Sequence, residues 1–334
     1  MRRPLTRPRS DFRHEPGVEG AFRYEPGDRG EFRYVSRCFR MPADNLQQTP
    51  LNAFSVDVED YFHVSAFEPF ISRGEWGNYS SRVVRSTQRL LEILAKYKVR
   101  ATFFVLGWVA EKFPELVKEI ASAGHEIGCH SYWHRLIYTM TVDEFREDTR
   151  ISCSLLADLT GQPVRLYRAP SFSIVKCSRW ALDVLAEEGI EIDSSIFPIY
   201  HDRYGWPEIP PCVQRLVAGG SELLEYPLAV VNWMGLRIPV GGGGYFRLYP
   251  FWLTHHWLRA INKQGRPFVF YIHPWELDPE QPRLPFGSAA RRFRHYVNLR
   301  YTEDKLDRLL AQFRFGTVGE SAREYIEGEK ERRT

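Results

Sequence analysis

A chain of 334 residues, 43% of them apolar, can bury one large core or a core with a small appendage. Its formal charge of +3 comes from acids and bases interspersed along the chain, which excludes the basic stripe of a nucleic-acid-binding protein. No apolar run is long enough to cross a bilayer, and Met1-Arg2-Arg3-Pro4 leads into polar sequence rather than a signal-peptide core, so a cytoplasmic protein is expected.

Residues 1–48 hold a repeat: Phe12-Arg13-His14-Glu15-Pro16-Gly17 returns as Phe22-Arg23-Tyr24-Glu25-Pro26-Gly27 and as Phe32-Arg33-Tyr34. Lone aromatics between Pro-Gly turns cannot assemble a core, so disorder is expected there, with Met41 an alternative start of the chain. From Leu51 short apolar runs alternate with amphipathic segments. Ala53 to Val56 reads as a strand, Arg82 to Tyr97 as a helix and Ala101 to Leu106 as a second strand. Ala110 to Ala123 is expected as one helix capped by Gly124, followed by helices at Val142 to Leu159 and Arg179 to Glu188, ended by Gly161 and Gly189. Such alternation predicts a parallel sheet in an α/β barrel.

Between Phe197 and Gly244 the alternation fails, and Pro198, Pro207, Pro210 and Pro211 predict ordered loops with a small β insertion. The run Gly241 to Gly244 fits either a flexible connector or a backbone that approaches a bound sugar closely. Tyr245 to Ile261 is expected to be helical apart from Pro250, and Thr302 to Phe313 forms a last helix before a frayed, charged tail at 321–334. Arg291, Arg292, Arg294 and Arg300 are the one basic concentration, read as a solvated helix face in preference to an anionic-polymer site. The cysteines Cys38, Cys129, Cys153, Cys177 and Cys212 are odd in number without a CxxC pair, which favours a reduced set.

Chemistry gathers at the ends of the apolar runs. His130 and His134 form an H-S-x-x-H group after His125-Glu126-Ile127-Gly128-Cys129, and Asp57, Glu59 and Asp60 end the first strand. Histidines four apart on a helical turn, with one carboxylate, make a three-ligand metal set that leaves a position open for solvent. Arg168-Ala169-Pro170, Asp193-Ser194-Ser195 and Ile272-His273-Pro274 each close another run, and in alternating barrels that end of the strands carries the active site.

These five groups, in this order from Ala53 to Trp275, resemble the motifs of the polysaccharide deacetylase family, the NodB-homology carbohydrate esterases of family 4. The segments Ser55 to Val64 and His273 to Pro279 further resemble the subgroup associated with exosortase systems and exopolysaccharide biosynthesis. The resemblance implies a distorted, incomplete (β/α) barrel over residues 49–320, a divalent metal, Zn²⁺ first, and hydrolysis of acetamides on a polysaccharide or its precursor. An N-acetylated glycan is then the partner.

The resemblance implies Asp57 as base, His273 as acid, Arg168 as a bidentate holder of Asp57, and Asp193 as the carboxylate that orients His273. His130 and His134 are the implied metal ligands. Family members often carry two adjacent aspartates in the first motif, whereas Val58 follows Asp57 here. In an extended strand Glu59 shares the Asp57 face, making Glu59 the better third ligand, and a turn at Val58 would favour Asp60 instead. Trp133, Phe172 and Trp275 are the candidate sugar-contacting rings. Two rival readings stand beside the deacetylase: a hydrolase of small-molecule C–N bonds on the same fold, and a non-catalytic carbohydrate-binding relative. A base and an acid together argue against the second.

Overall fold

The computed structural model describes residues 49–333 apart from residue 202, so the expectation of disorder for the repeat lies outside the described residues. Strands β1 (Asn52–Val58), β2 (Thr102–Val105), β3 (Glu126–Cys129), β4 (Leu166–Tyr167) and β5 (Ile192–Asp193) alternate with helices α1 (Val83–Lys96), α2 (Gly107–Lys112), α3 (Pro114–Ser122), α4 (Val142–Thr160) and α5 (Trp180–Glu187). Two hairpins follow, β6 (Gln214–Ala218) with β7 (Ser221–Glu225) and β8 (Val230–Trp233) with β9 (Leu236–Pro239). The chain continues through α6 (Gly243–Leu248), α7 (Phe251–Asn262), β10 (Val269–Ile272), α8 (Ala289–Tyr296), α9 (Thr302–Leu310), β11 (Phe315–Gly316) and α10 (Val318–Arg333).

The main sheet runs β10-β1-β2-β3-β4-β5-β7-β6, parallel except for the last pair, with β11 beside β1. Helices cover it as expected for a parallel sheet, and all seven residues of β1 are buried. Between the segment after β5 and β10 the sheet is not closed by a continuous ladder but bridged by single backbone bonds through the stretches flanking the β8–β9 hairpin. Leu228 N donates to Ile196 O at 3.0 Å, Val240 N to Ala229 O at 3.0 Å, and Tyr271 N to Gly241 O at 2.7 Å. This is the distorted, incomplete barrel that the resemblance implies.

Local chemistry explains the element boundaries. Thr141 caps α4 by accepting from Glu144 N at 3.2 Å while the Glu144 carboxylate accepts from Thr141 N at 2.8 Å, and Gly161 ends the helix at φ 69°. The single helix expected over Ala110 to Ala123 is divided at Phe113, because Pro114 pushes its predecessor out of the helical region, to φ −133° and ψ 60°. The β insertion is larger than expected, since β6 and β7 extend the main sheet. The tail expected to fray after residue 321 is instead the body of α10, whose Ala322, Tyr325 and Ile326 are buried. Its Ser321 hydroxyl donates to Leu51 O at 2.6 Å and lies 2.8 Å from the Tyr226 hydroxyl, so this helix is packed against the sheet.

The glycine run is not a loose connector. A Cβ on Gly242, at φ 133°, would land on the Tyr271 carbonyl oxygen, and one on Gly243 would meet the Tyr271 ring. Close passage against β10 requires glycine there. Cys129, Cys153 and Cys177 are free thiols, but Cys212 is disulfide-bonded, which corrects the expectation of a fully reduced set.

Candidate active site

Strand register brings the motifs to one rim. Val56 pairs with Ile272, Val105 with Cys129, Cys129 with Tyr167, and Tyr167 with Asp193. The residues that follow these pairs, Asp57, His273, His130, Arg168 and Ser194, therefore leave the sheet at the same end. They border a cavity of about 340 Å³ lined by Asp57, Glu59, His130, His134, His273 and Trp275 among others.

Ligand atoms of Glu59, His130 and His134 all lie within 4.8 Å of one another, and all three residues are buried. A tight turn at Val58, in which Glu59 N donates to Asp57 O at 3.0 Å, ends β1, yet Glu59 and not Asp60 joins Asp57 in lining the cavity, so the turn does not favour Asp60 as expected. The histidines do not sit on a helical turn, which corrects that expectation. His130 to His134 form a loop in which Ser131 and His134 take positive φ, 64° and 54°, and the buried Asp148 of α4 anchors it by accepting from Tyr132 N at 3.0 Å. His130 Nδ1 lies 2.8 Å from Arg168 O and donates to it when neutral, which frees Nε2 as a lone-pair donor toward the cavity. Burial pushes the His130 pKa down to about 4, keeping the ring neutral as ligation requires. Burial opposes ionisation of Glu59, but the neighbouring imidazoles of His134, His273 and His130 outweigh it and hold the carboxyl far below its usual range. Glu59 Oε2 is buried without a hydrogen bond, 2.9 Å from His134 Nε2. Two imidazoles, one ionised carboxylate and an unsatisfied oxygen fit a divalent cation.

Asp60 does not join this set. Its Oδ2 accepts from Ser81 Oγ at 2.6 Å, Arg82 N at 2.8 Å and Val83 N at 3.2 Å, and its Oδ1 from Tyr61 N at 3.0 Å. Asp60 is thus a cap for the first turn of α1, where orphan amides and the helix dipole favour an anion.

Arg168, fully buried, donates through Nη1 to Asp57 Oδ1 and to Ser55 Oγ, both at 2.8 Å. Its other arms reach Ser194 O at 3.1 Å and Ser194 Oγ at 3.0 Å, and the guanidinium lies 4.2 Å from the Phe104 ring centre. Contact with Asp57 is therefore single rather than bidentate, because the fork is shared with Ser194. Asp57 Oδ2 remains toward the cavity, 3.9 Å from His273 Nε2.

The partner of His273 is not Asp193. His273 Nδ1 lies 2.8 Å from Glu276 Oε1, and Arg247 Nε donates to Glu276 Oε2 at 2.5 Å. Burial alone would lower the His273 pKa, but the Glu276 hydrogen bond and the charges of Glu59, Glu276 and Asp57 raise it to about 9. Asp193 instead faces Ser195, whose Oγ donates to Oδ1 at 2.5 Å, and Glu225. Sequence reasoning passed over Glu276 and Arg247. The spacing His273-Pro274-Trp275-Glu276 was a local signal, whereas nothing local marked Arg247.

Of the three aromatic candidates, Phe172 and Trp275 line the cavity. Trp275 is sandwiched between His273, centroids 5.1 Å apart, and His295, 4.4 Å apart. Trp133 lies in the wall of a different concavity, its ring 38% exposed, which corrects its placement at the site. The Trp133 ring packs against Tyr132 and Trp76 instead, centroids 4.9 Å and 6.0 Å away.

Residues 78–191 match the polysaccharide deacetylase family, and residues 194–323 match a domain of unknown function (DUF3473). Residues 78–191 thus carry a polysaccharide deacetylase domain, and the fold is of the NodB-homology type. It is 32% identical over 120 residues to a peptidoglycan-N-acetylglucosamine deacetylase of Bacillus cereus, 32% of this chain and 44% of that one. It is 34% identical over 158 residues to a peptidoglycan deacetylase of Helicobacter pylori, 43% of this chain and 52% of the relative. The chain thus spans about half the length of these curated relatives. A crystal structure from Mycobacterium smegmatis, provisionally assigned as a polysaccharide deacetylase, superposes with a TM-score of 0.55 at 20% identity, covering 88% of this chain and 96% of that one, a likeness of fold.

Proposed function

We propose that the chain is a metal-dependent N-deacetylase that removes acetyl groups from N-acetylated sugars of a polysaccharide or its precursor. The observation that carries this reading is a three-donor metal set with Asp57, held by Arg168, and His273, held by Glu276, beside it in one cavity, His273 Nε2 lying 3.9 Å from Asp57 Oδ2 and 3.2 Å from Glu59 Oε1. Carbohydrate deacetylases among its relatives support the substrate class.

Glu59, His130 and His134 would hold the cation, most simply zinc given two imidazoles and one carboxylate. When bound, a divalent cation supplies Lewis acidity for an acetyl carbonyl and makes water more acidic. The remaining steps belong to the chain. Arg168 fixes Oδ1 of Asp57 and leaves Oδ2 to take a proton from the attacking water. His273, kept protonated at neutral pH by Glu276, gives its Nε2 proton to the departing amine nitrogen, a contribution typically about 10²–10⁴ in rate. Trp275 stacks on the His273 ring and is backed on its other face by His295, which fixes the His273 plane. Arg247 ties Glu276 to the backbone of α8 through His295 O at 2.7 Å and Val297 O at 2.9 Å.

The test is acetate release from a panel of N-acetylated oligosaccharides, with metal content measured on the same sample. Acetate in step with free amine is expected. Metal-loaded protein that releases none, yet opens small cyclic amides, would instead support the small-molecule hydrolase.

A further inference from the structure

Two segments from the region of unknown function, residues 194–323, line the cavity together with the metal set. The first is the loop after β5. Its Tyr204 ring stacks on Phe197, centroids 5.7 Å apart at 11°, and Trp206 N donates to Phe197 O at 2.8 Å, so Arg203 is carried on a braced turn. The second is α8, whose final carbonyls are clamped by Arg247, including Arg294 O at 3.1 Å. Arg203, Arg291 and Arg294 all line the same cavity as Asp57 and His273.

Charges at this mouth do not balance. Among the described residues the cavity lining holds two carboxylates, Asp57 and Glu59, and both are engaged, by Arg168 and by the imidazoles. Among the described residues, neither Arg203 nor Arg291 nor Arg294 forms an ion pair with an acid. The basic concentration noted in the sequence is therefore divided by the fold. Arg292 donates to Gly287 O at 2.7 Å and braces a loop, and Arg300 lies over the Tyr301 ring, 4.5 Å from its centre. Arg291 and Arg294 are left to line the cavity. Three unpaired guanidinium groups on ordered backbone, beside a site already supplied with its catalytic groups, make a receptor for an anion.

We infer that the preferred substrate is an anionic glycan, carrying a carboxylate or phosphate next to the acetamido sugar and held by Arg203, Arg291 and Arg294. This rests on the reading of the cavity as a glycan pocket. The carboxylate would be that of a uronate unit, and the phosphate that of a sugar phosphate or its diphosphate-linked precursor.

The experiment measures binding to the metal-loaded full chain of probes whose acetamido group is replaced by a methylsulfonamido group, so that none is consumed. One arm uses a tetrasaccharide with alternating glucuronate, the other a sugar 1-phosphate, each against an uncharged counterpart of the same length. At least one arm should bind roughly tenfold tighter than its counterpart at low salt, with the preference shrinking as salt rises. In the Arg291→Gln/Arg294→Gln chain, and in Arg203→Gln, that charge preference should fall severalfold while the melting temperature holds. Equal binding of charged and neutral probes in both arms, or a preference untouched by all these substitutions, would overturn the inference. Acetate release from the natural acetamides is scored separately: a charge preference without acetate release contradicts the deacetylase reading and leaves the anion receptor standing.

Discussion

His273 Nδ1 and Glu276 Oε1 are 2.8 Å apart, three residues from each other at the end of β10, and this pair sets the charge of the ring that faces Asp57. Glu276 is itself kept ionised: burial opposes it, but Arg247 and His273 bring its pKa down to about 2. The carboxylate therefore stabilises the imidazolium across the neutral range, as a charged orienting partner does in other hydrolases.

Replacing Glu276 by Gln removes that charge and keeps most of the shape. The His273 pKa should fall from about 9 toward its ordinary value of 6.5, so the alkaline limb of the rate profile should move to lower pH by about one unit or more. A kcat profile from pH 5 to 10 reads this directly, and an unmoved alkaline limb would remove Glu276 from the role.

Metal content should separate two neighbouring acids. Glu59→Gln, His130→Ala and His134→Ala are each expected to lose the ion, whereas Asp60→Ala should retain it. Asp60→Ala should cost about 1–2 kcal/mol of stability through the lost cap on α1, seen in denaturant unfolding. Loss of metal from Asp60→Ala without loss of stability would reverse the assignment.

Asp193 Oδ2 and Glu225 Oε2 are buried with no hydrogen-bond partner other than each other and together hold a proton. Burial raises Asp193 from 3.8 to about 6 and raises Glu225 further above its usual range. In the window from about 4 to 6 the folded chain binds protons that the unfolded chain has released, so this pair's contribution to stability declines as pH rises. Glu225→Gln supplies an amide donor in place of the shared proton. Its melting temperature should gain on that of the parent chain between pH 4.5 and pH 8, and a constant difference across that range would contradict the shared proton.

Gly242→Ala should destabilise by about 2–4 kcal/mol, since a Cβ there meets the Tyr271 carbonyl on a backbone at φ 133°. Gly220→Ala, with open space around it but φ at 78°, should cost about 1–2 kcal/mol from the backbone alone. Equal effects in urea unfolding would mean that the close approach to β10 is not retained in solution.

What the sequence revealed of the site follows strand geometry. Parallel strands put Asp57, His130, Arg168 and His273 at one rim, so alternation was enough for these, whereas Glu59 reaches the cavity past a tight turn at Val58 that no strand period describes. The errors arose where geometry is non-local or irregular. Asp193 ends a strand as Asp57 does, but β5 and β10 are separated in the sheet by β1 to β4, and Asp193 turns instead to Glu225 on its neighbour β7. Asp60 is one residue beyond Glu59 and fits a ligand equally well by type, until the start of α1 claims it. Arg247 acts on Glu276 across 29 residues, and no spacing rule reaches that far. The charged composition of α10 masked the apolar face of Ala322, Tyr325 and Ile326 that docks it.

The central claim is that Asp57 and His273 move protons on opposite sides of an acetamide while Glu59, His130 and His134 hold the metal. The most direct measurement is turnover of an N-acetylated oligosaccharide by Asp57→Asn and His273→Ala, with metal content determined on the same preparations. The account predicts metal content close to that of the parent chain together with a fall in kcat of about 10²-fold or more in each variant. Near-parental kcat in either variant at full metal occupancy would contradict it.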